Sequence, residues 1–434
     1  MHVVIIGTGY VGLVSGACLA DFGHEVTCID RDKTKIERLK KGIMPIYEPG
    51  LEALVNNNMK TGKLTFTTRT DIAIGRADII FIAVETPARQ GDGRADLSCV
   101  YAAAAELARH IKRYCVVINK STAPVGTADE VEAIMQKTNP EADFDVASNP
   151  EFLREGTAIR DFKCPDRIVI GADTERAIAR LKTLYHPLCL DETLLLCTKR
   201  RTAELIKYAA NAFLALKIGF INQVADLCEA AKADVQQVAR GIGLDKRIGS
   251  EFLNAGPGYG GSCLPKDTLA LSRIAHDFSA PMTIIDAVIA ANDRRKEAMA
   301  RRITDALHGD IKGKTIAILG LTFKPETDDM REAPSLVIIP GLQQQGANVR
   351  AYDPQGIKTA KHLLKDVDYC QNAYECMQGA DAVVILTEWN EFRELDKTYM
   401  KSLLNQPVLI DLRNTYALEE IEAFDYHSIG RPTA

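Results

Sequence analysis

One cysteine has neighbours that could make its thiol a nucleophile. Cys263 stands in GPGYGGSCLPKD, residues 256–267, where four glycines precede the thiol and a Pro-Lys-Asp run follows it. Proline favours the first turn of a helix, so Cys263 is predicted to lie at a helix N-terminus. The positive end of that helix and the nearby lysine would lower the pKa of the thiol. The glycines are predicted to leave room for a bulky substrate. A packed cysteine beside a flexible loop is the alternative.

Two polar pairs have spacing suited to catalysis. Lys207 and Asn211 are four residues apart in an apolar segment, so they share a helix face and could donate hydrogen bonds to an oxyanion. An exposed polar stripe is equally compatible with this spacing.

In NPEFLREG, residues 149–156, Glu151 and Glu155 are expected to face one side of a short helix and to position a water or a sugar hydroxyl. A capped, charged helix start is the alternative there.

The N-terminal segment has the pattern of a dinucleotide site. Gly7, Gly9 and Gly12 follow a predicted strand and open a helix, and Asp30 ends the next strand eighteen residues after the last glycine. Such glycines let the backbone approach a pyrophosphate, and the carboxylate can accept hydrogen bonds from a ribose diol. The pattern predicts NAD as the cofactor, because Asp30 would repel the 2′-phosphate of NADP.

Short apolar strands alternate with amphipathic helices in both halves of the chain, which is typical of α/β proteins with parallel sheets. The predicted strands are His2–Ile6, Glu25–Ile29, 78–84, Cys115–Asn119, 145–148 and 167–170, then Thr315–Leu319, Asn348–Tyr352, 382–386 and Val408–Asp411. A proline-free run, residues 201–232, predicts a long central helix with Thr202 as N-cap and Glu204 in the first turn. A second long helix over 281–307 carries a basic stretch, 294–302, interpreted as a solvated face. The fold class is therefore two Rossmann-like doubly wound domains joined by a long central helix.

Composition indicates the class of ligand and the cellular compartment. The formal net charge of −5 gives no reason to expect nucleic acid or a membrane as partner, so a small-molecule ligand is expected. Eleven cysteines without a CxxC pair or a Cys/His cluster indicate free thiols in a reducing, cytoplasmic compartment and no metal site.

Motifs spread over nearly the whole chain resemble the UDP-glucose/GDP-mannose dehydrogenase family. They are GTGYVG at 7–12, KSTAPVGT at 120–127, NPEFLREG at 149–156, PDRIVIG at 165–171, AELIKYAANAFLALKI at 203–218, GYGGSCLPKD at 258–267, GLTFKPETDDMRE at 320–332 and DLRN at 411–414. The family oxidises a primary alcohol of a nucleotide sugar to a carboxylate with two NAD⁺ and no metal. The resemblance implies an NAD-binding domain over residues 1–200, a helical dimerisation region over 201–308 and a UDP-sugar-binding domain over 309–434.

The resemblance also implies a catalytic set. Cys263 would add to the intermediate aldehyde, giving a thiohemiacetal that is oxidised to a thioester. Lys207 and Asn211 would stabilise the oxyanion. Residues that activate or hold water complete the set of Cys263, Lys207, Asn211, Asp267, Thr122, Glu151 and Glu155.

Ligand contacts follow from the same resemblance. The cofactor would contact Gly7, Gly9, Tyr10, Val11, Gly12, Asp30, Lys35, Thr86, Thr122, Glu155, Lys266 and Arg331. The sugar nucleotide would contact Glu151, Phe152, Leu153, Lys207, Asn211, Arg247, Phe252, Tyr259, Gly260, Lys324 and Arg413, with Arg247 reaching from a neighbouring subunit of a homodimer or higher oligomer.

The substrate and the class of protein leave alternatives. Lys120, the Pro-Asp-Arg run at 165–167 and the segment around Cys263 look like the UDP-glucose branch of the family, with GDP-mannose or another nucleotide sugar as the alternative. A nucleotide-sensing protein that has lost the chemistry is an alternative of another class. Departures from the family pattern stand at Glu85, Gln223 and Asn254. Of these, the Glu85 carboxylate could weaken NAD binding.

Overall fold

The computed structural model describes residues 1–87, 89, 94–188 and 195–432, which divide into two compact units, Met1–Ala210 and Asn211–Ala434. Within its described residues the first unit has one eight-stranded sheet in the order β3-β2-β1-β4-β5-β6-β7-β8. The strands are β1 His2–Ile6, β2 Glu25–Ile29, β3 Leu64–Thr67, β4 Ile79–Ile82, β5 Cys115–Asn119, β6 Phe144–Ser148, β7 Ile168–Ala172 and β8 Leu195–Thr198.

Helices cover both faces of this sheet, and the strand sequences show why. In β1, Val3 and Ile5 enter the core on one face while Val4 enters the core on the other. Strands buried on both sides are apolar throughout, as in the IIFI sequence of β4. The helices are α1 Tyr10–Asp21, α2 Lys33–Lys40, α3 Leu51–Lys60, α4 Thr70–Ile74, α5 Ser98–Ala108, α6 Thr127–Thr138, α7 Ala158–Lys163 and α8 Glu175–Tyr185.

The long helix α9, Arg200–Ala231, begins in the first unit and continues into the second. Its predicted start is wrong: Thr202 is not the N-cap and Glu204 is not in the first turn. The helix begins earlier, where Arg200 forms ion pairs with three carboxylates of the first unit. Glu204 instead caps another helix, since its carboxylate accepts hydrogen bonds from the N–H groups of Gly126 (2.7 Å) and Ala128 (2.9 Å) at the start of α6.

The described residues of the second unit contain a six-stranded sheet in the order β11-β10-β9-β12-β13-β14, with every neighbouring pair parallel. Its strands are β9 Thr315–Leu319, β10 Asn348–Tyr352, β11 Val367–Tyr369, β12 Ala382–Ile385, β13 Val408–Asp411 and β14 Asp425–Ser428. Its helices are α10 Val235–Gly243, α11 Leu264–Asp277, α12 Thr283–Ala306, α13 Ser335–Gln344, α14 Ile357–Leu363, α15 Ala373–Met377, α16 Asn390–Arg393 and α17 Lys397–Leu403, with a 3₁₀ turn at Leu418–Glu420.

The predicted fold class is confirmed. Both sheets begin with the Rossmann order, in which the chain returns to the middle of the sheet after its third strand. The sequence did not reveal β3, β8, β11 or β14, which are short strands of mixed polarity at or near the sheet edges. It also did not reveal that β6 and β7 pair antiparallel. Among the described residues no helix is both long and apolar enough to cross a membrane.

Candidate functional site

The first unit forms a cradle for a dinucleotide at the turn between β1 and α1. A Cβ atom on Gly7 would lie 2.4 Å from the Ala83 carbonyl oxygen, and one on Gly12 would lie 2.0 Å from the Gly7 carbonyl oxygen. These two glycines are therefore required for the protein's own packing. Gly9 differs, because a Cβ there would meet nothing within 4 Å. Gly9 is also the N-cap of α1 and offers no side-chain cap, so the N–H groups of the first turn, which includes Tyr10 and Val11, can bind a phosphate.

Asp30 lies beside this turn, at the end of β2. Its Oδ2 accepts hydrogen bonds from Thr8 N (3.0 Å), Thr8 Oγ1 (2.6 Å) and Lys35 Nζ (3.1 Å). Burial raises the pKa of Asp30, but hydrogen bonds from Thr8, Asp32 and Lys35 outweigh burial and lower the pKa to about 2. The carboxylate is thus ionised and can accept further hydrogen bonds from a ribose. The residues present fit an NAD molecule.

Other predicted residues of the first unit follow β4 and β5. Thr86 Oγ1 donates to the Thr122 carbonyl oxygen at 2.8 Å, which joins the two loops. Glu85, beside Thr86, is exposed. Lys120 is buried, its Nζ lies 3.0 Å from Asn149 Oδ1, and burial lowers its pKa to about 8.

A buried ion pair joins the loop after β6 to the central helix. Lys207 Nζ on α9 lies 3.0 Å from Glu151 Oε1, and both side chains are almost inaccessible to solvent. Burial raises the pKa of Glu151, but the charge of Lys207 and the hydrogen bond from Leu153 N (2.6 Å to Oε2) outweigh burial and lower the pKa. Lys207 Nζ also lies 5.3 Å from the ring centroid of Phe152. The structure therefore brings together four of the predicted residues in this unit.

The predicted short helix carrying Glu151 and Glu155 is wrong. Residues 149–154 are not helical, and α7 begins only at Ala158. The Glu151 carboxylate instead accepts a hydrogen bond from Leu153 N, two residues further along the chain. The two carboxylates therefore do not share a helix face.

Glu48 is a residue that sequence reasoning missed. Its buried carboxylate accepts from Gly156 N (2.6 Å), Ala158 N (2.7 Å) and the Tyr10 hydroxyl. It thereby holds the loop of Glu155 against the first turn of α1. No sequence signal identifies this role, because its partners on that loop lie more than a hundred positions along the chain.

In the second unit, Cys263 is the N-cap of α11, with Leu264 and Pro265 in the first turn. The predicted position at a helix N-terminus is confirmed. Cys263 is partly buried, and its Sγ lies 3.4 Å from Ser262 Oγ. The ten described cysteines form no disulfide, and Cys189 lies outside the described residues.

One turn into α11, Asp267 is fully buried. Its Oδ2 accepts from Asn211 Nδ2 at 2.6 Å, and its Oδ1 lies 2.5 Å from Lys266 Nζ. The Asp267 N–H donates to the Cys263 carbonyl oxygen at 2.9 Å. The unit thus joins the thiol-bearing turn, an amide donor and a carboxylate. The i, i+4 spacing of Lys207 and Asn211 on one helix is also confirmed.

Two of the glycines before Cys263 do not leave the predicted space. A Cβ on Gly260 would lie 2.3 Å from the Glu332 carbonyl oxygen, and one on Gly261 would lie 2.7 Å from the Phe323 ring. These glycines are needed because the loop packs tightly against the segment around Phe323 and Glu332. The interpretation as room for a substrate is wrong at these two positions.

Residues of α9 and α12 hold the same loop, and no sequence motif indicated this role. Asn292 Oδ1 accepts from Tyr259 N (2.8 Å) and Asn292 Nδ2 donates to Tyr259 O (3.1 Å). Asn222 Oδ1 accepts from Gly256 N (2.9 Å), and Arg295 Nε donates to Gly256 O (2.6 Å). The loop is therefore fixed at both its first glycine and its tyrosine.

Three predicted ligand residues of the second unit lie in loops that follow its strands: Lys324 and Arg413, predicted for the sugar nucleotide, and Arg331, predicted for the cofactor. Arg413, after β13, donates from Nε to Leu386 O (2.9 Å) and from Nη2 to Phe323 O (3.0 Å). Lys324 Nζ lies 5.5 Å from the Phe323 ring centroid, in the loop after β9. Arg331 forms two hydrogen bonds with the carboxylate of Asp329, at 2.8 Å each.

The remaining predicted residues lie outside these networks. Arg247 is exposed and pairs with Asp245, and Phe252 has a positive φ of 65°. Gln223 and Asn254, which depart from the family pattern, are exposed.

Comparison with known protein families places similarity along the whole chain. The model described as UDP-glucose/GDP-mannose dehydrogenase family, NAD binding domain, matches residues 1–189. The central-domain model of that family matches residues 201–294, and its UDP-binding-domain model matches residues 317–418.

Individual proteins agree with these matches. The UDP-glucose 6-dehydrogenase of Rhizobium meliloti (strain 1021) is 56% identical over 436 residues, covering 100% of both chains. A solved UDP-glucose dehydrogenase from Pyrobaculum islandicum is 38% identical with a TM-score of 0.90, covering 100% of this chain and 98% of that one. A GDP-mannose dehydrogenase structure from Pseudomonas aeruginosa is 28% identical with a TM-score of 0.55, covering 99% of each chain.

Proposed function

Because the chain belongs to the UDP-glucose/GDP-mannose dehydrogenase family, we propose that it oxidises UDP-glucose to UDP-glucuronate through a thioester on Cys263. It is an NAD-dependent oxidoreductase, and its N-terminal domain binds the cofactor. The observation that carries the proposed chemistry is the position of Cys263 at the N-terminus of α11, beside the buried Asn211–Asp267 pair. Similarity to UDP-glucose enzymes over the full chain favours UDP-glucose over GDP-mannose.

The protein's own groups bind and orient the cofactor. The open backbone at Gly9 and the uncapped start of α1 suit the pyrophosphate, and the ionised Asp30 suits the adenosine ribose. Bound NAD⁺ supplies the hydride acceptor for each of the two oxidations. Thr122 and Glu155 would hold a water near the reacting carbon.

Between the two oxidations Cys263 would hold the substrate. Its thiolate bonds to C6 of the aldehyde while the carbonyl electron pair moves to oxygen, where Lys207 and Asn211 donate hydrogen bonds. Loss of hydride from C6 then leaves a thioester. Water adds to the thioester carbon, the C–S bond breaks and the thiolate is restored. Glu151 and Asp267 are the carboxylates proposed to accept the proton of that water.

Substitution of the nucleophile tests this scheme. Wild-type protein should release two NADH for each UDP-glucose consumed, whereas Cys263→Ala should form UDP-glucuronate at least about 10³-fold more slowly while its affinity for NAD⁺ is unchanged. Cys164→Ala removes an exposed cysteine elsewhere and should behave as wild type. Alkylation of Cys263 across a pH range would measure its thiol pKa, which we expect to be lowered.

Three results would reject parts of the proposal. Two NADH per UDP-glucose from Cys263→Ala would exclude the thioester. Faster turnover of GDP-mannose than of UDP-glucose would show that GDP-mannose is the preferred substrate. Binding of both ligands without NADH release by the wild type would indicate a sensor rather than an enzyme.

We also propose a homodimer formed through α9. Phe213, Phe220 and Leu227 are 60%, 50% and 66% exposed and recur every seven residues, so they form one apolar stripe along the helix. Phe220→Asp should yield monomers in analytical sedimentation, while Phe278→Asp, at a similarly exposed phenylalanine outside the stripe, should not. Wild-type protein that sediments as a monomer at working concentration would contradict the proposed homodimer. The cytoplasmic location and the lack of a nucleic-acid partner stay predictions.

A further inference from the structure

The basic stretch of α12 is not the uniformly solvated face that its sequence suggests. Arg295 is 8% exposed, and its Nη1 lies 2.8 Å from Asp226 Oδ1 on α9. One heptad later, Arg302 Nη2 lies 2.7 Å from Glu229 Oε1. These two arginines are neutralised by carboxylates of the facing helix.

Their neighbours Arg294 and Arg301 are different. Both are exposed, and neither guanidinium group forms a hydrogen bond or ion pair within the described part of the chain. They lie seven residues apart and so face the same way. Each of them directly precedes one of the neutralised arginines. The helix therefore presents two uncompensated guanidinium groups on one side.

A cavity of about 920 Å³ lies where α9, α12 and the segment after β14 meet, and these arginines line it. Among the described residues, six Lys or Arg side chains and three carboxylates line it. Two of the carboxylates, Asp226 and Glu229, are already paired with Arg295 and Arg302. The unpaired groups of the wall are thus mostly positive.

Buried donors in the wall lack acceptors. Arg295 Nη2 and Arg431 Nε have no hydrogen-bond partner among the described residues, although the two side chains are in residues only 8% and 7% exposed. Arg431 Nε lies 3.9 Å from Asp234 Oδ2, which is too long for a hydrogen bond. Both nitrogens are inaccessible to solvent, so a ligand in the cavity would act on these two guanidinium groups through their charge.

We propose that this cavity binds a small anion that carries a phosphate group. Guanidinium groups pair with phosphate oxygens through two parallel hydrogen bonds, and the cavity is large enough for a diphosphate or a phosphorylated metabolite. Arg295 also binds the carbonyl of Gly256, so an anion beside this arginine would stabilise the start of the loop that leads to Cys263. Neither the cofactor cradle nor the proposed sugar-nucleotide residues contribute to this wall.

Pyrophosphate is the probe for the experiment. The wild-type protein is first saturated with NAD⁺ and UDP, which fills the phosphate-binding sites of the proposed function, and pyrophosphate is then titrated by calorimetry. We expect one further equivalent to bind, and Arg294→Gln combined with Arg301→Gln to weaken that binding by at least about tenfold. Arg273→Gln removes an exposed arginine of α11 outside the cavity and should leave the affinity unchanged. Pyrophosphate should also slow backbone hydrogen exchange over residues 256–261 in the wild type but not in the double variant.

Several outcomes would overturn the proposal. The first is no additional binding to the saturated wild type, and the second is equal affinity in the double variant. Equal weakening in Arg273→Gln would indicate attraction to net charge rather than a site. Binding that disappears as protein concentration rises would show that a second copy of the chain covers the cavity. All four results are independent of whether UDP-glucose is turned over.

Discussion

The two sheets repeat one design and use it differently. In each, a glycine with positive φ follows the first strand, Gly7 at 100° and Gly320 at 93°, and an aspartate follows the second strand. In the first unit Asp30 accepts four hydrogen bonds and remains partly accessible. In the second unit Asp353 accepts six and is fully buried.

This difference separates a carboxylate that can still accept hydrogen bonds from a ligand from one whose hydrogen bonds are all within the protein. Around Asp353 the donors come from the turn after β9, from the turn after β10 and from the indole of Trp389, so no lone pair faces solvent. The turn after β9 also lacks a counterpart of Gly9, the glycine whose surroundings are open. A dinucleotide fits the first sheet, while the second sheet matches the UDP-binding domain of the family. The same residue type at the same topological position therefore does not imply the same ligand.

The largest effect should come from removing Asp353. Asp353→Ala would leave several buried donors unsatisfied, and we expect the second unit to lose about 4 kcal/mol of its free energy of unfolding. Urea unfolding followed by fluorescence of Trp389, the one tryptophan of the sequence, reports on this unit. Asp30→Ala, the matched change in the first sheet, should cost only about 1 kcal/mol. Equal losses of unfolding free energy in the two variants would show that both aspartates have the same structural role.

The next largest effect concerns packing of the first turn. Gly12→Ala would force a Cβ against the Gly7 carbonyl, and we expect a loss of about 2–3 kcal/mol, or roughly 5–10 °C in the melting temperature of the first unit. Gly9→Ala should leave that temperature unchanged because its surroundings are open. Calorimetric melting of the two variants decides whether Gly9 is free of a packing role.

Gly9→Ala should instead affect the cofactor. A methyl group would occupy the space proposed for the pyrophosphate, so we expect NAD⁺ to bind about tenfold more weakly, equivalent to about 1.4 kcal/mol. Titration calorimetry with NAD⁺ measures this directly. Unaltered affinity would mean that the open space at Gly9 is not where the cofactor binds.

The smallest expected effect is a loss of fold stability at low pH. The pKa of Asp30 is lowered from 3.8 to about 2 in the folded protein, so its ionised form stabilises the fold above pH 3.8. That contribution is lost as the pH falls towards about 2. The difference in melting temperature between wild type and Asp30→Asn should therefore shrink between pH 5 and pH 2, whereas a constant difference would contradict the shift.

Much of the fold followed from local patterns. Strands such as β1 and β9 have apolar residues on both faces and are followed directly by a glycine, so their type and place were predictable. The edge strands β3 and β8 were not, because half-exposed strands of mixed polarity resemble loops. The helix over Glu151 and Glu155 was predicted from spacing alone. In the structure the Glu151 carboxylate binds Leu153 N and Lys207 Nζ, and the second of these contacts is with a distant helix.

The sequence by itself determined the central strands of the two sheets, the long helix, the dinucleotide turn and the position of Cys263 at a helix N-terminus, because each depends on a local pattern of apolar residues, glycine or proline. Only the tertiary structure decided that Glu48 and Glu204 cap helices that are distant in the sequence, and that Gly260 and Gly261 serve packing. It also decided that Arg295 and Arg302 are neutralised while Arg294 and Arg301 are not. Hydrogen bonding and burial depend on which distant segments meet, and a linear pattern does not encode the direction in which each side chain finds its partner.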